Sequence, residues 1–326
     1  MINKKNKEIS LFIYPTYRCL DNCSFCFIKP ALRKKPNELS LDEIKANLSY
    51  FEKKYQLRDI VLVGGEPFLY KDIVPLMEFL WDRYILKQKT KGFLIATSAL
   101  KCSSIEFTRY LKKFFKSDSN ISSCLQISLN SFSPKDRFFK QKKSAILNLA
   151  KEKISVRYIL VFTRYNMEDI KKATDFLIDV FLNYYSNLNS RNFVVELRIP
   201  FNPINLVSNK KRKFVPEASV FLKSFQDVSS LFLKNHVLIG IRNIPFCYLK
   251  EYNRAVLGNI YKTNAKMLIA RINKWRQLDK ALVSSYNSEK WGIQKKCDPC
   301  RFREKCNGID PIFIKKIKYP SLKPFL

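Results

Sequence analysis

Pro15-Thr16-Tyr17-Arg18-Cys19-Leu20-Asp21-Asn22-Cys23-Ser24-Phe25-Cys26 follows directly on the apolar run Ile9–Tyr14. A β-rich run that ends in a loop with cysteines at C-x3-C-x2-C spacing governs the reading of the rest of the chain. With nine cysteines in 326 residues, such a triplet is a rare coincidence. Three thiolates on one short loop can each bind one corner of a [4Fe–4S] cube. The fourth iron then has no protein ligand and is open to a small molecule. A structural zinc ion is the plainer alternative, but it takes four ligands and the chain's only histidine is His236. His236 itself reads as an ordinary polar residue where a strand begins.

Outward from that loop, short β-rich runs alternate with amphipathic stretches. The runs are Ile9–Tyr14, Asp59–Val63, Gly92–Thr97, Ser123–Leu129, Ser155–Phe162 and Phe193–Ile199. Most are apolar throughout, as parallel strands buried on both faces should be. The clearest helix start is Ser40-Leu41-Asp42-Glu43, a capping box followed at helical spacing by Ile44, Leu48 and Phe51. Six β-then-α units predict an α/β fold with a parallel sheet, open or curled towards a barrel. Pro200–Pro216, with three prolines and the run Lys210-Lys211-Arg212-Lys213, reads as an exposed loop or linker. A helix over Ala218–Leu233 and a strand over Val237–Ile241 follow. From Cys247 onward the chain carries four of the nine cysteines, so the expected division is 1–240 and 241–326.

The second β-rich run ends in Val63-Gly64-Gly65-Glu66-Pro67. In a chain with only 7 glycines, an adjacent pair at a strand's C-terminal end marks a backbone that something approaches closely. Together with the cysteine loop, including Phe25 ahead of its last cysteine, this motif resembles the radical SAM enzyme superfamily. Weaker similarities follow along the chain. Thr97-Ser98-Ala99 stands where relatives often carry Thr-Asn-Gly, and Ser128-Leu129-Asn130 where many carry Ser-Leu-Asp, so Asn130 is a departure. Val161–Asn166 resembles the common ending of the fifth strand. The resemblance spans residues 9–245.

That resemblance implies a partial (β/α)6 barrel of TIM type with its cluster at the C-terminal mouth of the strands. Cys19, Cys23 and Cys26 would hold a [4Fe–4S] cluster whose fourth iron takes S-adenosylmethionine (SAM) through its amino and carboxylate groups. Gly64, Gly65, Glu66 and Pro67 would form the methionine side of the SAM site, with Glu66 or the nearby backbone receiving the amine. Ser128 and Asn130 are candidates for the ribose or the methionine carboxylate. An electron from a flavodoxin- or ferredoxin-type reductant would cleave SAM to a 5′-deoxyadenosyl radical, which abstracts a substrate hydrogen.

A second set of cysteines closes the chain. Cys297, Cys300 and Cys306 form C-x2-C-x5-C, and Cys247 lies upstream. Four thiolates suffice for one complete auxiliary [4Fe–4S] cluster. The arrangement resembles the C-terminal Twitch or SPASM extensions of radical SAM enzymes. SPASM regions usually carry more cysteines, for two clusters, so the single-cluster Twitch type is favoured. A zinc knuckle with four cysteine ligands fits the spacing equally. Without Cys247 as fourth ligand, one iron of the second cluster would be open. Cys102 and Cys124 lack ligand spacing and read as buried, inert thiols.

The net charge is +32, from 60 Lys+Arg and 28 Asp+Glu. Such an excess favours anionic partners. A/T-rich codons would also enrich lysine, but they should enrich Glu too, and acids are scarce. No window reaches the roughly 18 apolar residues of a membrane span. Met1–Glu8 leads only into Ile9–Tyr14, too short for a secretory signal, so a cytoplasmic chain is expected. Twitch/SPASM relatives mature peptides, oxidise small alcohols or form carbon bonds. An acidic precursor peptide fits that charge and is the first choice. Only eight residues stand before the first strand, so a separate recognition protein or the basic segment Lys135–Lys143 would have to bind it.

RNA is the runner-up. Lys135, Arg137, Phe138, Phe139, Lys140, Lys142 and Lys143 interleave cations with aromatics that could stack a base. The same spacing describes an amphipathic helix with two core phenylalanines. A small anionic metabolite is a third candidate. A non-catalytic iron–sulfur or zinc protein that binds nucleic acid is the alternative of a different class.

Overall fold

The computed structural model describes residues 8–21, 23, 25–26, 28, 38–115, 122–188, 190–200, 214–250, 255–257, 267–272, 284–286, 295–303, 306, 308–309, 313–314, 318–321 and 323. Residues 201–213 of the expected linker, with the run Lys210–Lys213, lie outside the described residues.

Seven strands run parallel in chain order: β1 (Glu8–Ile13), β2 (Gln56–Leu62), β3 (Gly92–Thr97), β4 (Ser122–Ser128), β5 (Val156–Val161), β6 (Phe193–Arg198) and β7 (Leu238–Arg242). Each expected run becomes a strand with ends shifted by a few residues at most. Helices fill the crossovers: α1 (Leu41–Lys54), α2 (Ile73–Leu80), α3 (Ile105–Lys112), α4 (Phe139–Lys151), α5 (Met167–Tyr184) and α6 (Ala218–Lys234). The fold is a partial α/β barrel, as expected, and the strand expected over Val237–Ile241 joins it as the seventh parallel strand. The expected boundary after residue 240 falls inside β7. Further on, β8 (Met267–Ile272) adds in parallel to the free side of β1, and β9 (Ser284–Tyr286) pairs antiparallel with β8. Among the described residues no helix is long and apolar enough to cross a membrane.

The capping box forms as read. Glu43 N donates to Ser40 Oγ at 3.1 Å, and Ser40 N donates back to Glu43 Oε2 at 2.7 Å. Two otherwise orphaned donors at the start of α1 are thereby satisfied. Ile44, Leu48 and Phe51 on the same helix are buried against the sheet, and each contributes on the order of 1.5–3 kcal/mol by leaving water.

The two faces of the sheet differ. Ile9, Leu11, Ile13, Ile60, Leu62, Phe93, Ile95, Leu125, Ile127, Leu160, Val195, Leu197, Ile239 and Ile241 are buried, and their alternation sends them to the helix-covered side. The residues between them face the barrel interior, and many are polar or charged: Ser10, Asp59, Gln126, Ser128, Arg157, Glu196, Arg198 and Arg242. Near the base Ser10 Oγ donates to Asp59 Oδ2 at 2.5 Å. The strands are therefore not uniformly apolar. The inner alternation was hidden because Phe12, Val61, Ile159 and Val161 are apolar residues on the polar side.

Candidate functional site

A cavity of about 410 Å³ opens among the C-terminal ends of the strands. Cys19, Cys23, Cys26, Gly64, Gly65, Glu66, Ser128 and Asn130 all line it, so residues singled out from scattered motifs meet at one place. Pro67 does not; it is buried and opens the turn Pro67–Leu69.

The glycine pair explains how the cysteine loop is seated. Gly64 sits at φ +129°, and a Cβ on it would lie 2.5 Å from the Thr16 carbonyl oxygen. A Cβ on Gly65 would lie 2.0 Å from the Arg18 oxygen. Only glycines let these backbones meet, and they do so through hydrogen bonds: Gly65 N to Thr16 O at 3.0 Å and Glu66 N to Arg18 O at 2.6 Å. The close neighbour read from the sequence is thus the segment that enters the cysteine loop. Arg18 fixes the same segment from the other side, donating to Glu38 Oε1 at 2.7 Å and to Leu69 O at 2.5 Å.

Glu66 is buried beneath the loop, and both its oxygens are fully engaged. Oε1 accepts from Phe68 N at 3.2 Å and Thr97 Oγ1 at 2.5 Å. Oε2 accepts from the Ser98 amide and hydroxyl, each at 2.6 Å. Burial raises its carboxyl above the usual range, and these four bonds work against that rise by favouring the ionised form. Glu66 therefore joins the end of β2 to the end of β3. Ala99, two residues after Thr97, adopts the left-handed region at φ 61°, a conformation natural to the glycine that related motifs carry there.

On the opposite side, the β4–α4 segment grips the loop. Arg137 Nη2 donates to Leu20 O at 2.7 Å. Lys142 is buried, donating to Asp136 Oδ2 at 2.7 Å with Asp21 Oδ1 at 3.8 Å. Phe139 packs on Phe132 with ring centroids 5.0 Å apart. In the segment offered above as a base-stacking patch, Lys142 is turned inward and Phe139 packs on Phe132, while Arg137, itself exposed, reaches the cysteine loop at Leu20. Lys135, Lys140 and Lys143 remain exposed.

Asn130 Nδ2 donates to Cys23 Sγ at 3.2 Å, while its Oδ1 is buried and makes no hydrogen bond among the described residues. Asn166, in the loop after β5, holds the Asn130 carbonyl at 3.0 Å. Burial, followed by Asp21, Glu66 and Cys23 nearby, pushes the Cys19 thiol up to about 12. Burial and Asp21 push Cys23 up to about 11 against the Asn130 bond. Without a cation these thiols stay protonated; a bound metal centre displaces their protons. Among the described residues no three His, Cys, Asp or Glu side chains converge on a single ion position. A cubane makes a different demand, with one thiolate at each of its own irons.

The second cysteine set lies apart from this cavity. Cys247 sits in the turn Phe246–Tyr248 after β7, and Cys300 N bonds to Cys297 O at 3.0 Å. Cys306 Sγ accepts from Gly308 N at 3.3 Å and Phe246 N at 3.5 Å. Burial, then Cys306 and Cys297, push Cys247 up to about 11. Burial raises Cys306 too, and Cys300 and Cys297 add to it. Cys306 therefore lies near Cys247, Cys297 and Cys300, and Cys247 near Cys297. The Phe246 and Phe302 rings, 5.9 Å apart, pack beside them. Cys102 is buried in the core and Cys124 faces the base of the barrel; burial raises both thiols.

Sequence reasoning missed Thr97 and Ser98 as partners of Glu66, Lys142 as an internal brace, and Arg198 and Arg242, which line the cavity at the ends of β6 and β7. The available signal was Glu196 and Arg198 at i and i+2 in a strand otherwise made of apolar residues.

Residues 13–177 match the sequence profile of the Radical SAM superfamily. Over 81 residues the chain is 36% identical to a protein of Methanocaldococcus jannaschii provisionally named a glycyl-radical enzyme activating enzyme, a stretch covering 24% of this chain and 31% of that one. Among solved structures, Streptococcus suis SuiB bound to precursor peptide SuiA superposes with a TM-score of 0.59 at 16% identity, over 96% of this chain and 74% of that one. The structure of anSMEcpe with bound AdoMet and Cp18Cys peptide gives 0.60 at 15% identity, over 92% and 88%.

Proposed function

The chain belongs to the radical SAM superfamily and is an enzyme of that family, and from that premise we propose that it modifies a peptide or protein carrying acidic groups. The observation that carries the assignment of the site is the convergence of Cys19, Cys23, Cys26, the Gly64–Glu66 backbone, Ser128 and Asn130 on one cavity. Cys19, Cys23 and Cys26 would hold the [4Fe–4S] cluster of the family, and the cavity beside them would hold SAM. Two features fit that pair of cofactors: a thiol triplet on one loop, and a buried Asn130 Oδ1 able to accept a ribose hydroxyl. When bound, the cofactors supply one-electron reductive cleavage of SAM and a 5′-deoxyadenosyl radical able to abstract hydrogen.

The residues of the chain hold and shield that chemistry. Because Glu66 is fully engaged with Thr97, Ser98 and Phe68, the backbone near it, rather than its carboxylate, would receive the methionine amine. Asn130 donates to Cys23 Sγ and so stabilises it as a thiolate, while Asn166 fixes where Asn130 stands. Ser128 supplies a hydroxyl beside it. Cys247, Cys297, Cys300 and Cys306 would carry an auxiliary [4Fe–4S] cluster of the Twitch type in a C-terminal unit, reached by a flavodoxin- or ferredoxin-type reductant.

Peptide is preferred to RNA because two solved structures of similar fold hold peptides, and because the segment with aromatic–cation interleaving is partly turned inward; the net charge of +32 favours anionic partners of either kind. A separate recognition protein would present such a peptide. The test is 5′-deoxyadenosine formation by reconstituted enzyme with dithionite and SAM, with either a pool of Asp/Glu-containing peptides or total RNA added. Stimulation by peptides and not by RNA is expected. Stimulation by RNA alone would reverse the preference, and no 5′-deoxyadenosine under any condition would overturn the catalytic reading.

A further inference from the structure

The side of the cavity away from the cysteine loop carries its own chemistry. Arg198 ends β6 and Arg242 ends β7, and the two are paired in register on neighbouring parallel strands. Both therefore leave the sheet on the same face, and both line the cavity. Two residues deeper, Glu196 is 1% exposed and accepts a charge-assisted hydrogen bond from Arg198 Nε. Although burial opposes its ionisation, Arg198, Arg242 and Arg157 together hold its carboxyl below the usual range. One carboxylate thus faces three guanidiniums, which cannot lose their charge. Arg157, near the start of β5, lies on the deep side, so the excess positive charge is at the mouth. There Arg198 Nη2 is buried and makes no hydrogen bond among the described residues. A buried donor left unmatched is costly, the more so when charged, so the geometry favours a ligand that supplies an acceptor.

We propose that Arg198 and Arg242 form a carboxylate subsite that anchors the substrate across the cavity from Cys19, Cys23 and Cys26. Its ligand class is a carboxylate-bearing group, such as an Asp or Glu side chain. Glu196 keeps the Arg198 guanidinium oriented, and Arg242 supplies the second charge. The inference rests on the cavity being the substrate site, but not on the substrate being a peptide. SAM is the other source of a carboxylate, and the experiment separates the two.

The probes are N-acetylglutamate amide and N-acetylglutamine amide, which differ only in the carboxylate, with binding to the reconstituted enzyme followed by ligand-observed NMR. SAM affinity is measured on the same proteins. Wild type is expected to favour the glutamate probe by about five-fold, as a charge-assisted hydrogen bond warrants. Arg198→Gln and Arg242→Gln should each bring that ratio to about one while SAM affinity stays within about two-fold. Lys140→Gln, at an exposed site, should keep the ratio and so exclude the bulk charge. Arg242→Gln leaves the Glu196–Arg198 pair whole and keeps the test open if Arg198→Gln fails to fold. A preference that survives in Arg242→Gln overturns the subsite, as does equal binding of both probes to wild type. A roughly ten-fold loss of SAM affinity in the variants, with the preference retained, would assign the arginines to SAM instead. If the glutamate preference behaves as expected but peptides do not stimulate turnover, the subsite stands and the peptide reading falls.

Discussion

The two cysteine sets are built on opposite plans. Cys19, Cys23 and Cys26 stand on a loop that faces a cavity, and the loop is held at its flanks by Gly64–Gly65, Arg18, Arg137 and Lys142. Cys247, Cys297, Cys300 and Cys306 lie away from that cavity, drawn together by turns and by backbone N–H groups that point at Cys306 sulfur. Three thiolates at an opening leave a coordination site for a small molecule; four thiolates, were all to hold one cluster, would leave none. The chemistry that each set can support follows from this difference more than from cysteine count.

Removing a ligand from the first set should have the largest effect. Cys23→Ala is expected to abolish 5′-deoxyadenosine formation and to remove one cluster's iron. Substantial cleavage in that variant would break the comparison at its root. Cys300→Ala should act on the other side only. About half the iron is lost while substrate-free SAM cleavage remains, and full iron content with normal turnover would deny the second set its role.

Lys142→Ala sharpens the comparison by reaching the first set through its support. Removing one partner of a buried ion pair takes from Asp136 its buried cation and from Asp21 one of two nearby cations. Because both carboxylates are partly exposed, the loss should be about 2 kcal/mol in urea unfolding, below the fully buried range. Iron should be lost from the N-terminal set and not from the C-terminal one; equal loss from both would show a global effect. The smallest change is Ala99→Gly, which touches neither set. It relieves a left-handed non-glycine backbone, and a gain of about 0.5 kcal/mol in urea unfolding is expected once the flexibility of the unfolded glycine is set against it. A loss of stability would contradict the strain.

Much of this was legible in the sequence, because the strands are strongly apolar on their helix side and the capping box at Ser40 and Glu43 is local. The cysteine spacing and Gly64-Gly65 are local signals too. What they touch is not. That glycine pair announces a close approach, but only the pairing of β1 with β2 shows that Thr16–Arg18 is what approaches. Lys142 looks like a solvated helix residue until the fold brings Asp21 beside it. Arg198 and Arg242 are single charges at strand ends, and their meeting depends on the β6–β7 register. The extra strand β8 was hidden because its partner, β1, is at the other end of the chain.

The most direct test is iron, acid-labile sulfide and zinc per chain after anaerobic reconstitution, on wild type and on the Cys19→Ala/Cys23→Ala/Cys26→Ala triple variant. Two separate clusters predict about eight irons falling to about four, with matching sulfide and no zinc. About four irons falling to none, with one zinc kept in both proteins, would contradict the account and make the C-terminal set a structural zinc site.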